Sequence, residues 1–260
     1  MSNLQFDPAV SRQIESVYTT PDVVEQRRVV RTALALRPGD RVLDVGVGPG
    51  LLAAEMAAEV GPEGRVCGID ISDSMLALAS TRTKVPGGPE IELELAGVDR
   101  IPHGAESFDV VVSTQVFEYL DDVPAALSEI RRVLRPAGRV VLLDTDWDSI
   151  VWRSTDDARM GRVLTAFEEH LEDPHLPRTL GDSLDKAGFT VTHRQVVPML
   201  NVGYDARTYS AGLIDIVEAF VPGRAKVTEP EATAWATDLR TLNTSYFFSL
   251  NRYLFVASAL

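Results

Sequence analysis

From Arg41 onward, apolar runs of strand length alternate with segments of helical period. This is the pattern of a parallel sheet whose crossover helices cover both faces. The strand-like runs are Arg41 to Val45, Arg65 to Asp70, IELELA from Ile91, FDVVVST from Phe108 and GRVVLLD from Gly138. Between the last two, PAALSEIRRVL places Leu127, Ile130 and Leu134 on one helical face, and RPAG at 135–138 reads as a turn returning the chain to the sheet. Two helices precede this alternation. One opens on Asp7 as cap with Pro8 in its first turn, the other on Thr20 with Pro21 in the same place. In the second, Val23, Val30 and Leu34 share an apolar face, Arg28 and Arg31 point away, and Arg27 sits at the edge.

After Asp144 the rhythm changes. Two helices, near 156–172 and 179–187, precede a strand-like run TVTHRQVV from Thr190, with Gly188 as the helix stop. Helical stretches near 205–219 and 229–242 then lead to a last apolar segment, SYFFSLNRYLFVASAL. No linker or low-complexity tract divides the 260 residues, so the pattern predicts one α/β domain over 1–260: N-terminal helices over 1–34, a core over 35–144, and further helices with the last two strands over 145–260.

The core opens on its most informative stretch. The first strand runs into Gly46, Gly48 and Gly50 and then into LLAAEMAAEV, so bare backbone and the start of a helix can approach an anionic group. Asp70 ends the next strand, 24 positions after Gly46, where a carboxylate can accept hydrogen bonds from both hydroxyls of a ribose. A dinucleotide fold would place a third glycine at position 51, which is Leu51; the spacing is G-x-G-x-G and signals no room for a pyrophosphate.

VLDVGVGPG, GIDISDSMLALA and PAGRVVLLD together resemble the class I S-adenosylmethionine-dependent methyltransferases, close to the small-molecule group that includes ubiquinone and menaquinone methyltransferases. The resemblance runs over about Leu34 to Asp144. It implies a Rossmann-like, doubly wound, mostly parallel seven-stranded sheet with an antiparallel last strand, extra N-terminal helices and a helical cap after the fifth strand. It also implies that Asp44, Gly46, Gly48 and Gly50 hold the amino-acid part of S-adenosylmethionine, Asp44 acting on the cofactor's ammonium group through water. By the same resemblance Asp70 holds the ribose and Ile71 and Met75 pack on the adenine. In the turn AGVDR, Val98 stands where the family places an aspartate, with Asp99 beside it as the alternative partner for the adenine amino group. Ser113 and Gln115 reach the sheet crevice, Glu118 braces the loop that follows, and Tyr18 and Arg27 resemble positions that close over the cofactor carboxylate.

A formal charge of −13 opposes binding to a phosphate backbone and docking on anionic lipid. No basic segment with an apolar core starts the chain, and no apolar run approaches the roughly 20 residues of a membrane span, so the expected place is the cytoplasm and the expected partner a small molecule. A homodimer is left open. Cys67, the single cysteine, packs as a small apolar side chain. Methyl transfer needs no metal, and His103, His170, His175 and His193 make no metal-ligand spacing. A base matters only for an acceptor protonated at neutral pH; Asp146 and His175 are the catalytic candidates. Asp144, Trp147, His170 and Arg178 are the candidates for touching the acceptor. All three tryptophans follow Asp144, as they would in helices roofing an apolar acceptor pocket. The expected function is methyl transfer to a small, fairly apolar metabolite through oxygen, nitrogen or carbon. The alternatives are non-methylating chemistry with the same cofactor and a non-catalytic partner subunit.

Overall fold

The computed structural model describes residues 8–259. Helices α1 (Pro8–Tyr18) and α2 (Pro21–Leu34) precede the sheet strands β1 (Arg41–Val45), β2 (Arg65–Asp70), β3 (Glu92–Leu95), β4 (Phe108–Thr114) and β5 (Leu134–Thr145). Among these lie α3 (Leu51–Val60), α4 (Asp73–Ala79) and α5 (Val123–Val133). There follow β6 (Val151–Trp152), α6 (Asp157–Glu168), α7 (Pro177–Lys186), β7 (Phe189–Val202), α8 (Tyr209–Phe220), α9 (Glu229–Thr241) and β8 (Phe247–Ala259). The predicted Asp7 cap lies outside the described residues. Thr20 occupies the N-cap position of α2, but its hydroxyl donates back to the Val17 carbonyl instead of serving the helix. Side chains of Ser72, Asp122, Asp156, Thr208 and Thr228 accept the capping bonds of α4, α5, α6, α8 and α9, which satisfies helix-start N–H groups that would otherwise lack partners.

The strands lie in the order β3-β2-β1-β4-β5-β8, with β7 on the far side of β8. β3, β2, β1, β4 and β5 are parallel, and β8 runs antiparallel to both β5 and β7. The two-residue β6 continues the line of β5 along β8 and was not foreseen. The RPAG stretch is not a turn ahead of β5. Phe108 pairs with Leu134 and Val110 with Arg139, so 135–138 form a bulge inside one long strand. Ala137 takes φ +63 there, and a Cβ at Gly138 would sit 2.9 Å from the Arg135 carbonyl.

Two cores cover the sheet. One face packs Leu127, Ile130 and Val133 of α5 and Leu180 and Leu184 of α7 against β1, β2, β4 and β5. The other packs Val30, Leu34, Met56 and Val60 against Val42, Val110 and Val141. A third cluster, built from α6, α8, α9 and the ends of β6, β7 and β8, forms a cap at the carboxyl ends of the central strands. Trp235 is fully buried there, and Trp152 meets it edge-on at 5.3 Å between ring centroids. Trp152 Nε1 donates to Tyr246, whose hydroxyl donates to Ser210 at 2.7 Å, so the polar ends of these aromatics are satisfied inside the cap. Burying aromatic side chains of this size contributes roughly 1.5–3 kcal/mol each. Among the described residues no helix is long and apolar enough to cross a membrane.

Candidate functional site

Parallel strands leave a crevice beyond their carboxyl ends where the order reverses, and here β1 lies between β2 and β4. A cavity of about 550 Å³ opens at that point. Its floor is the turn after β1. Gly46 and Val47 both donate to the Ile69 carbonyl, at 2.8 and 2.9 Å, which folds the backbone sharply across the end of β2. Gly46 takes φ +71, and a Cβ on it would lie 2.2 Å from Val116 Cγ2. Gly48 takes φ +52, and its missing Cβ would meet nothing closer than the Gly46 carbonyl at 4.0 Å. The first glycine lets the β4 loop close; the second leaves bare backbone facing the cavity.

Two carboxylates end the adjacent strands. Asp70 accepts from Gly48 N and from Ser72 N, each at 2.9 Å, so the glycine turn holds it in one orientation. Burial nevertheless pushes its carboxyl up, against the pull of the Gly48, Ser72 and Ile71 amides. Asp44 is 2% exposed, and its Oδ2 is buried without a hydrogen-bond partner. Desolvation, with the charge of Asp70 second, pushes Asp44 up to about 8. An unpartnered carboxylate oxygen at a cavity wall is costly, and a bound cation is what would satisfy it.

Of the thirteen residues expected to touch cofactor, the structure brings Tyr18, Arg27, Asp44, Gly46, Gly48, Asp70, Ile71, Met75, Val98, Asp99 and Gln115 to this wall. Two are elsewhere. Ser113 is fully buried and spends its hydroxyl on the Val45 carbonyl across the strand pair at 3.0 Å. Gly50 is absent from the cavity wall: it is buried at φ +79, where a Cβ would meet Ala79 at 3.0 Å, so its bareness serves the packing of α3 on α4. In the turn after β3, Asp99 folds back so that a Cβ on Gly97 would lie 2.4 Å from its Oδ1. Gln115 takes φ +57 just past β4, held there by its N–H to Leu143 O at 2.7 Å and by Thr145 Oγ1, which donates to its side chain at 2.8 Å.

The roof is pinned to the floor from α1 and α2. Arg82 donates to the Pro49 carbonyl and to Glu15, joining the glycine turn to α1. Arg27, only 9% exposed and not at a helix edge as its spacing suggested, donates to the Tyr18 carbonyl and to Glu55 at 2.9 Å. Its charge is therefore already matched by α3. Burial pushes the Tyr18 phenol up to about 12, so it faces the cavity un-ionised.

The acceptor side expected from sequence is not built as expected. Asp144 does not face the cavity: its Oδ1 accepts the N–H groups of Val116, Phe117 and Glu118 at 3.1, 3.1 and 3.4 Å, tying down the loop after β4. Burial and the neighbouring Glu118 push its carboxyl well up. Glu118 does brace the loop, accepting from Thr145 N and Trp147 Nε1 at 3.2 Å each. Desolvation pushes it up to about 7. Trp147 is thereby fixed in the core, edge-on to Phe167 and His170. His170 is 2% exposed, bonded through Nδ1 to the Phe167 carbonyl, and burial pushes it down to about 4. Both are packing residues of the cap.

His175, Asp146 and Arg178 do come together, but away from the cavity wall. Arg178 donates to both oxygens of Asp146 at 2.8 and 2.9 Å and to Asp148 at 2.6 Å, and His175 Nδ1 lies 3.3 Å from Asp146. Burial raises the Asp146 carboxyl, but the two arginine bonds outweigh it and hold it below the usual range. Asp146 also accepts from Asp148 N, capping the turn after β5. Ligand atoms of Asp146, Asp148 and His175 lie within 4.8 Å of one another, yet the Arg178 guanidinium already serves both carboxylates. No His, Lys or Cys lines the cavity among the described residues.

The wall also contains Gln26, Tyr119 and Arg252, none of which was expected there. Arg252 had a visible signal: it interrupts an apolar strand at an inward-facing position of the alternation, between Leu250 and Leu254.

Several known proteins similar to this chain are methyltransferases. A family model described as a methyltransferase domain matches residues 43–142. The chain is similar to an uncharacterized 37.1 kDa protein in transposon TN4556 of Streptomyces fradiae, 35% identical over 215 residues that cover 80% of this chain and 60% of that protein. It thus spans less than two thirds of that relative. It is similar also to the demethylmenaquinone methyltransferase of Symbiobacterium thermophilum, 30% identical over 193 residues, covering 66% of this chain and 77% of that protein. Haemonchus contortus phosphoethanolamine N-methyltransferase 2, solved in complex with S-adenosyl-L-methionine, shares the fold with a TM-score of 0.64 at 20% identity over 99% of this chain and 58% of that one.

Proposed function

The chain belongs to the class I S-adenosylmethionine-dependent methyltransferases, and from that premise we propose that it transfers the methyl group to a small, fairly apolar organic acceptor. The cofactor is S-adenosylmethionine. When bound it supplies a methyl group on a sulfonium, which leaves as a neutral thioether. The residues present fit it: Asp44 offers a buried, unpartnered carboxylate oxygen for an ammonium group, and Asp70, fixed by Gly48 and Ser72, offers a carboxylate for the ribose hydroxyls. Ile71, Met75 and Val98 would pack on the adenine, with Asp99 beside its amino group. Tyr18 and Arg27 would close over the carboxylate end, and Gln115 would face the reacting centre.

The chain's contribution to rate on this reading is placement and dryness. A roof pinned by Arg27 and Arg82 holds donor and acceptor in line and excludes water, which can supply much of the barrier lowering of a displacement reaction. With no histidine in the wall among the described residues, an acceptor that arrives already ionised, or that gives its proton to solvent, suits the site better than one needing a positioned histidine base. Single-domain organisation over 1–260 and a cytoplasmic location belong to the same proposal.

One observation carries the reading: two carboxylates at the ends of neighbouring strands share a single cavity, the half-buried Asp70 locked by the glycine turn and the buried Asp44 left with an unpartnered oxygen. The test incubates the protein with S-adenosylmethionine labelled in its methyl group and a panel of carboxylic acids, phenols and amines. Labelled product appearing together with S-adenosylhomocysteine is expected. If calorimetry finds neither S-adenosylmethionine nor S-adenosylhomocysteine bound at millimolar concentration, the proposal is overturned.

A further inference from the structure

The cavity has a charged feature at its far end that cofactor binding does not explain. Arg252 lies on β8, paired with Thr145 of β5 and Val197 of β7, and is 2% exposed while lining the cavity. Four strand spacings, about 19 Å, separate β8 from Asp70 on β2, well beyond the reach of an arginine side chain. Its Nη1 donates to the Gln26 side-chain amide oxygen Oε1, and its guanidinium carbon stands 4.8 Å from the centroid of the Tyr209 ring. Neither neighbour is an anion. Its Nε is buried without a hydrogen-bond partner, and among the described residues no carboxylate forms an ion pair with it.

The contrast with Arg27 is informative. Both are buried arginines of the same wall, but Arg27 is matched by Glu55 at 2.9 Å. A buried guanidinium with only amide and aromatic neighbours costs stability unless an anion joins it. The titratable groups that Arg252 faces are Glu118, whose carboxyl burial raises to about 7 while Arg252 pulls it back down, and the un-ionised phenols of Tyr18 and Tyr209. The end of the cavity opposite the ribose subsite therefore carries a buried guanidinium with no carboxylate at ion-pair distance among the described residues.

We propose that Arg252 is the specificity-determining residue for the acceptor, and that the acceptor is a small apolar molecule carrying a carboxylate, the group whose two oxygens match the fork of a guanidinium. This rests on the reading of the cavity as the methyltransferase site. Arg252 orients the acceptor by its acid group, Gln26 and Tyr209 hold the guanidinium in place, and the apolar remainder of the acceptor points its nucleophile toward the centre of the sheet. No proton moves at Arg252.

The test uses the full chain saturated with S-adenosylhomocysteine and compares, by calorimetry, 1-naphthoate with 1-naphthamide, which has the same shape and no charge. The naphthoate is expected to bind tighter on the order of ten- to a hundredfold, the scale of a charge-assisted hydrogen bond. Arg252→Gln should bring the two to within about twofold, while S-adenosylhomocysteine binds as in the parent. Equal binding of the pair to the parent protein, or no binding of the acid at millimolar concentration, overturns the proposal without any variant. So does an Arg252→Gln protein that keeps the preference, or one that loses S-adenosylhomocysteine instead, which would move Arg252 to the cofactor. Failure of the parent to bind S-adenosylhomocysteine at all is a different result and sinks the methyltransferase reading itself.

Discussion

The two ends of the cavity are made in different ways. The ribose end comes from one short stretch: Asp44, Gly46, Gly48 and Asp70 lie within 27 consecutive positions, and their bonds run between a turn and the strand beside it. The opposite end is assembled from Tyr18, Gln26, Gln115 and Arg252, and its Gln26–Arg252 contact joins residues 226 positions apart. A local device can be carried intact from protein to protein, whereas the distant one is free to vary with the helices and strand that supply it. On the proposed reading, what is bound and what is modified are set by separately adjustable parts of one wall.

Breaking the ribose end should have the largest effect. Asp70→Ala removes a carboxylate that serves two hydroxyls on the proposed reading, at roughly 1.5–3 kcal/mol for each charge-assisted bond, so cofactor affinity should fall by on the order of a hundredfold or more in calorimetry. Unchanged affinity would remove Asp70 from the ribose. Gly46→Ala comes next. Positive φ at a non-glycine residue costs roughly 1–3 kcal/mol, and the 2.2 Å approach to Val116 adds overpacking of similar size. A lowered melting temperature together with weaker cofactor binding is expected; a parent-like melting temperature would show that the β4 loop yields easily.

Asp44 sharpens the comparison through pH. Its carboxyl is raised in the folded protein to about 8 from an unfolded value near 4. The folded state therefore binds the extra proton, and stability falls as pH rises across that window. Asp44→Asn should match the parent in chemical denaturation near pH 4 and exceed it near pH 8, while binding cofactor more weakly. A parent whose cofactor affinity does not rise between pH 6 and 8 would argue against a cation at Asp44. The smallest effect is expected for His175→Ala: the Asp146–Asp148–His175–Arg178 cluster lies at a partly exposed surface away from the cavity, where single substitutions change stability by about 0.5 kcal/mol or less. Turnover within about twofold of the parent is the expected result, and a tenfold loss would return His175 to the mechanism.

How far the sequence could be read follows the same division. The alternation after Arg41, the glycine turn and the acid ending β2 are patterns of neighbours, and periodicity reports neighbours well. Asp144 and Asp146 misled because strand-end aspartates look alike in sequence, whether they turn to a cavity or to backbone amides. The difference lies in three N–H groups of the β4 loop, for Asp144, and in Arg178, for Asp146. Ser113 misled for a related reason, since its hydroxyl is spent on the strand beside it. His170 carries no sequence mark distinguishing a packed imidazole from a reactive one. Arg252 was visible as a charge at an inward-facing position, but its partners sit in α2 and α8, and no spacing rule connects them.

The position of β8 has a consequence for how the molecule comes into being. It follows every other strand in the chain, yet it is hydrogen-bonded on both sides, to β5 and to β7. As the polypeptide emerges during synthesis, β5 and the fourteen-residue β7 must wait with unpaired edges until Phe247–Ala259 arrives between them. The glycine turn and its acid can be in place long before. On the proposed reading, nascent chains should thus pass through an intermediate able to grip an adenosyl group while still blind to acceptors, exposed to edge-to-edge aggregation until the last insertion closes the gap.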